Sequence, residues 1–139
     1  MIAFVGCDKI GGAVSDPEGT FIVQLRNDGK YYGFSDESYN LIGITEANNL
    51  SVFAFGNTHG LAHVGEGQLS NIDTNTLPTR WGRDYAALVG HLYVARFLDV
   101  HGEDYYYGIR VESTVVGTNN GIIGFVVKYC RFIPGEGWY

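Results

Sequence analysis

Apolar and polar side chains alternate along several stretches of this chain, and the alternation predicts β-strands. In TFIVQLR, residues 20–26, the apolar side chains of Phe21, Val23 and Leu25 recur at every second position. Successive side chains of a strand point to opposite faces of the sheet, so these three share one face. The stretch YYYGIRVE, residues 105–112, has the same period, with Tyr105, Tyr107, Ile109 and Val111 on one face and Tyr106, Arg110 and Glu112 on the other.

Turn-forming residues separate such runs in the last third of the chain. Asn, Asp and Gly tolerate the positive φ of tight reversals, and they occur at 101–104 and at 119–121. Around these turns we predict a three-stranded meander with strands at 92–99, 105–116 and 122–133. The last strand carries apolar residues on both faces, which is typical of a strand in the middle of a sandwich or barrel.

The remaining elements are predicted from shorter signals. Strands are expected at 2–6 and 50–56, and a hairpin turn at 27–29. The polar stretch 70–79 is typical of a surface loop. Asp84 is a candidate N-cap for a helical turn over residues 85–88.

The composition favours one all-β domain over residues 1–139. Charged residues are only 17% of the chain against about 25% in an average soluble domain, and its 20 glycines indicate many turns. A chain of this length buries enough surface to fold without a metal or disulfide. The predicted fold is an antiparallel sandwich or barrel, jelly-roll-like, that ends in the three-stranded meander.

Charge and hydropathy exclude some partners and suggest a cellular address. The formal charge is −6, and no basic run is present to neutralise a phosphate backbone, so no nucleic acid is expected as a partner. No apolar run reaches the roughly 18 to 20 residues of a transmembrane helix. The stretch Phe4-Val5-Gly6-Cys7 resembles the end of a bacterial lipoprotein signal. An extracytoplasmic or secreted protein, with Cys7 as a candidate lipid anchor, is the resulting prediction.

The two cysteines, Cys7 and Cys130, are a candidate disulfide pair. Their bond would close a loop of more than 120 residues and stabilise the fold by roughly 4 to 5 kcal/mol. Two buried thiols are the alternative, since free cysteines are common in cores.

The stretch THGLAHVGEG, residues 58–67, raises the question of a metal site. It places His59 and His63 four residues apart, with Glu66 three residues further on. Its glycines disfavour a helix, on which such a pair shares one ion; on a strand the two histidines stand roughly 13 Å apart. No metal or other cofactor is therefore expected. His59 and His63 become candidate ligands only if the stretch folds as a loop, or if His91 or His101 approaches from elsewhere.

Other polar clusters give little support for an enzyme. Asn71, Asp73 and Asn75 match the first three ligand positions of a calcium loop, but the glycine and the glutamate that should follow are missing, so a polar turn is favoured. Residues 99–104 place two aspartates, a histidine and a glutamate at one hairpin tip, where a histidine among carboxylates titrates near neutrality. A small acid-base or metal-assisted enzyme remains only the second alternative.

Aromatic residues make up 14% of the chain and are its most suggestive feature. Alternation sends Tyr106 to the face opposite its neighbours, where Trp81 or Tyr93 would meet it in a platform for a ligand or an interface. We therefore predict a non-enzymatic module that acts by surface contact, either binding a protein or self-assembling. A carbohydrate-binding module that uses exposed Tyr and Trp is the first alternative.

Overall fold

The computed structural model describes residues 15–26, 34–36, 39–44, 49–52, 60–98 and 103–139. The described strands are β1 (Phe21–Arg26), β2 (Phe34–Asp36), β3 (Tyr39–Ile44), β4 (Asn49–Val52), β5 (Gly60–Glu66), β6 (Asp84–Ala86), β7 (His91–Leu98), β8 (Asp104–Val116), β9 (Ile122–Ile133) and β10 (Gly137–Trp138). A single 3-10 turn, Leu69–Asn71, lies among them, and the described residues contain no α-helix. The all-β prediction is confirmed.

The strands form two antiparallel sheets. The larger sheet has the order β1-β9-β8-β7-β5, with β10 also paired to β9, and the smaller one has the order β2-β3-β4-β6. The predicted C-terminal meander is confirmed, since β7, β8 and β9 are consecutive neighbours in the larger sheet. This arrangement is consistent with a sandwich-like or barrel-like fold.

The predicted turn between β8 and β9 lies at 117–121. Asn120 has a φ of 62°, a left-handed conformation that asparagine adopts more readily than most residues. The amide of Gly117 donates to the carbonyl of Gly121, and the amide of Asn120 donates to the carbonyl of Gly117. The Asn119-Asn120-Gly121 signal therefore marks a real reversal.

The larger sheet buries apolar side chains on both faces, as was predicted for the last strand of the meander alone. Its first face packs against the smaller sheet, which contributes Leu50 and Tyr85 to the shared core, and against Ala87 just after β6. The sheet's own buried residues on this face are Leu25, Leu61, Tyr93, Ala95, Phe97, Tyr105, Ile109, Val111, Phe125 and Val127. Burial of this apolar surface is the main favourable term in the fold.

The second face is covered by the segment 69–81 and by the C-terminal strand. Leu69, Ile72, Leu92, Val94, Tyr106, Cys130 and Phe132 are buried there, with Leu77, Trp81 and Trp138 packed against them. Gly108 makes this cover possible, because a Cβ at Gly108 would stand 2.7 Å from the Trp138 ring and 2.8 Å from Ile72. The predicted surface loop 70–79 is thus anchored to the core at Ile72.

The other end of the second face carries a charged network. The Lys128 ammonium lies 2.8 Å from an Asp16 carboxylate oxygen and 3.4 Å from Glu112. Arg110 also pairs with Glu112 and donates a hydrogen bond of 2.6 Å to the carbonyl of Gly67. The hydrogen bond to Asp16 is the largest cause of a raised Lys128 pKa.

Two predicted elements are corrected or only partly described. Residues 84–86 form strand β6 rather than a helical turn, because they pair with β4, with Leu50 opposite Tyr85. The strand expected at 50–56 is confirmed as far as Val52. The strand expected at 2–6, the turn at 27–29 and the remainder of 50–56 lie outside the described residues.

No helix among the described residues is long and apolar enough to cross a membrane.

Candidate functional site

A β-bulge shapes the end of β5, which is an edge strand of the larger sheet. His63 pairs with Tyr93 of β7, but Gly65 pairs with Leu92 and Glu66 with His91, so Val64 has no residue opposite it. Gly65 has a φ of +131°, which side-chain-bearing residues rarely adopt. The bulge shifts the register so that Glu66 stands directly opposite His91.

The same bulge brings two histidines into contact across β5 and β7. Nε2 of His63 lies 2.8 Å from Nδ1 of His91, which is a hydrogen bond in which one ring donates and the other accepts. The rings are nearly parallel, with 5.1 Å between centroids and 17° between planes. A proton shared between two ring nitrogens leaves the pair with at least one neutral imidazole.

Aromatic rings surround the His63 imidazole. The Tyr93 ring lies 5.1 Å from it and the Tyr85 ring 6.4 Å, centroid to centroid. Burial against these rings and the charge of His91 both lower the pKa of His63 from 6.5, burial having the larger effect. The neutral form of His63 is therefore favoured at neutral pH. In that form one ring nitrogen has a free lone pair, which can bind a proton or a metal ion.

The spacing of histidines along the sequence did not identify the pair of His63 and His91. The sequence singled out His59 and His63, but His59 lies outside the described residues, and the observed partner of His63 is His91, 28 positions along the chain. The condition set for a metal site, that another histidine approach from elsewhere, is met by His91. The contact between His63 and His91 becomes visible only from the pairing of β5 with β7. In the sequence, nothing except the glycines around Val64 indicates the bulge in that pairing.

The three aromatic residues of the predicted platform do not meet. Tyr93 is fully buried on the first face, where its hydroxyl donates to the carbonyl of Ala86 and accepts from the amide of Leu88. Tyr106 is buried on the second face, 8% exposed. Trp81 does lie beside Tyr106, with 6.2 Å between ring centroids. Of the two partners named for Tyr106, only Trp81 lies beside it, and Tyr93 lies on the opposite face of the sheet.

Where the two rings meet, Tyr106 is buried and Trp81 is half-buried. The Tyr106 ring stacks on Phe132 at 5.7 Å, and the Arg96 guanidinium lies 5.6 Å from the centre of the Trp81 ring. These contacts anchor the segment 69–81 on the second face, a structural role.

The oxygen-rich stretch 71–75 uses its side chains to hold a turn. Oδ1 of Asn71 accepts a hydrogen bond of 2.8 Å from the amide of Gln68, and Oδ1 of Asp73 accepts one of 2.9 Å from the amide of Asn75. Among the residues that the structure describes, no three His, Cys, Asp or Glu side chains are close enough to hold a metal ion.

The other candidate groups are only partly described. Asp104 forms an ion pair of 3.5 Å with Arg96, while Asp99 and His101 of the same hairpin tip lie outside the described residues. Cys130 is a buried cysteine that forms no disulfide with another described residue, and burial is the main cause of its raised pKa. Cys7 also lies outside the described residues, so a disulfide between the two stays a prediction.

An open cleft of about 310 Å³ lies beside the histidine pair. His63 and Val64 of β5 form one wall, and Ile72, Asp73 and Leu77 of the covering segment form another. The cleft is mainly apolar, and it gives solvent and small solutes access to the β5 edge near His63.

The fold and site thus define an all-β protein of two antiparallel sheets with a cross-strand histidine pair at one sheet edge. No protein-family model, no curated protein and no solved structure matches this chain.

Proposed function

We propose that this protein is a self-associating β-module, in which the β1 edge of the larger sheet pairs with the β1 edge of a second copy. One observation carries the proposal: the adjacent residues Phe21 and Ile22 of β1 are 62% and 65% exposed. They point to opposite faces of the sheet, so an added strand beside β1 would cover both.

The chemistry of β1 supports strand addition. Within the described part of the chain, β1 has a neighbour on one side only, strand β9. Sheet edges are ordinarily protected by lysine, proline or inward-pointing charges. Strand β1 has the sequence FIVQLR, and its one charged residue, Arg26, is at its end.

A second copy suits this edge better than an unrelated strand. Two identical strands that pair antiparallel are related by a two-fold axis, the commonest symmetry of protein dimers. The two Arg26 side chains would then lie at opposite ends of the new pair, where they do not repel each other. The low share of charged residues, 17% of the chain, also favours association.

Sedimentation equilibrium of the full chain tests the proposal. The wild type is expected to dimerise, and Ile22→Lys is expected to shift it to a monomer because the new charge would be buried in the pair. Val64→Lys is the matched control, since Val64 is 46% exposed on the opposite edge strand. A wild type that stays monomeric at high concentration contradicts the proposal, as does equal dimerisation of Ile22→Lys.

The module is further proposed to work outside the cytoplasm. The support is the stretch Phe4-Val5-Gly6-Cys7, which resembles the acylation site of a lipoprotein signal. Mass spectrometry of protein purified from its native cells is expected to find either an acylated Cys7 or a secreted chain. Recovery of the intact, unmodified chain from the cytoplasm alone would contradict this placement.

A further inference from the structure

We propose that His63 and His91 form a binding site for a divalent transition-metal ion of the class of Zn²⁺, Ni²⁺ and Cu²⁺. Among the described residues no third His, Cys, Asp or Glu side chain completes a ligand group with this pair as it stands, so Glu66 is proposed to rotate in as the third protein ligand when the ion binds. The site lies at the β5 edge, apart from β1, and does not depend on the proposed association.

The positions of the two ring nitrogens suit a shared ion. Nε2 of His63 and Nδ1 of His91 are 2.8 Å apart and face each other. Two imidazole nitrogens bound to one tetrahedral ion at 2.0 to 2.1 Å stand about 3.3 Å apart. The rings therefore need to separate by about half an ångström, which the exposed His63 side chain allows. The ion replaces one histidine–histidine hydrogen bond with two metal–nitrogen bonds.

The bulge supplies the third ligand. Glu66 is directly opposite His91 in the β5–β7 pairing, so both side chains project from the same face. Directly opposed residues have Cβ atoms about 4.5 to 5.5 Å apart, within reach of a glutamate that rotates toward the ring. Glu66 is exposed and can make this rotation. Water would complete the coordination.

The ligand types and the charge select the class of ion. Imidazole nitrogen suits zinc, copper and nickel, whereas calcium and magnesium prefer sites made of oxygen alone. The formal charge of −6 also attracts a cation.

Calorimetric titration of chelator-treated full chain with zinc chloride tests the site. The wild type is expected to bind one zinc ion. His63→Gln and His91→Gln are each expected to weaken binding by at least about tenfold, the change that corresponds to about 1.4 kcal/mol. Glu66→Gln is expected to weaken it less, because both nitrogen ligands remain. His59→Gln and His101→Gln are matched controls and should bind as the wild type does.

Two further measurements separate ligand loss from misfolding and from association. Electron paramagnetic resonance of the wild type with one equivalent of copper(II) is expected to show coupling to two imidazole nitrogens. Ile22→Lys should retain zinc binding even where it abolishes the dimer. The proposal is overturned if the wild type takes up no zinc, if His91→Gln binds as well as the wild type, or if only His59→Gln loses binding.

Discussion

The hydroxyl of Tyr93 links the two sheets. It lies on β7 of the larger sheet, donates to the carbonyl of Ala86 on β6 of the smaller sheet and accepts from the amide of Leu88. Tyr93→Phe removes both hydrogen bonds, each of which contributes about 0.5 to 1.5 kcal/mol net, or about 1 to 3 kcal/mol together. We expect the free energy of unfolding, measured in urea, to fall by about that amount. Tyr106→Phe, which keeps the link intact, should change it less; an equal loss in both variants would contradict this role.

Single residues also show what local patterns can and cannot predict. Alternation along β8 correctly separated Tyr106 from Tyr105 and Tyr107. It did not predict that Tyr93 lies opposite Ile109 and so shares the face of Tyr105. The register of two neighbouring strands decides which of their residues share a face of the sheet. Turn residues fix that register only in part. For the same reason the sequence could name His91 and His101 only as alternatives and did not identify which of them contacts His63.

Among the strands, the pairing of β1 with β9 depends on one glycine. A Cβ at Gly124 would stand 2.0 Å from the carbonyl oxygen of Leu25, on backbone that cannot move without breaking the pair. Gly124→Ala is therefore expected to lower the free energy of unfolding by about 1 to 3 kcal/mol or more and to speed hydrogen exchange in β1. Gly121→Ala is the matched control, since a Cβ there meets nothing within 4 Å. Wild-type exchange in Gly124→Ala would contradict this account.

The accuracy of the predicted elements follows from how local their signals are. The three meander strands were predicted to within one residue of β7, β8 and β9, because β8 has a clear alternation, β9 is a long apolar run, and turn residues lie between the strands. The segment 84–86 was predicted wrongly. Its partner β4 lies more than 30 residues away, and pairing at that distance overrides a weak capping signal.

The molecule as a whole is expected to lose stability in alkali. Burial raises the pKa of Tyr93, Tyr106 and Tyr129 above 10.0 and that of Cys130 above 9.0, and the hydrogen bond to Asp16 raises that of Lys128 above 10.5. Each folded-state pKa exceeds its unfolded value. Their stabilising effect is therefore fully present below about pH 9 and is lost as the pH rises through the folded values.

Urea midpoints measured at intervals from pH 8 to pH 11 test this expectation. The midpoint should fall progressively above about pH 9 to 10, and Lys128→Met should show a shallower fall than the wild type. A midpoint that stays constant over this range would contradict it.

Composition predicted the all-β class of the molecule, but the order β1-β9-β8-β7-β5 depends on contacts between distant residues that no local pattern records.

The β1–β9 pairing joins Phe21 to Tyr129, 108 positions apart along the chain. A ribosome adds about 5 to 20 residues per second, so β1 emerges about 5 to 20 s before the strand that receives it. During that interval β1 has no strand to pair with in its own sheet, and only elements made earlier, such as β3, can contact it. We therefore expect nascent chains of this protein to require a holding chaperone until residues 122–133 have left the exit tunnel.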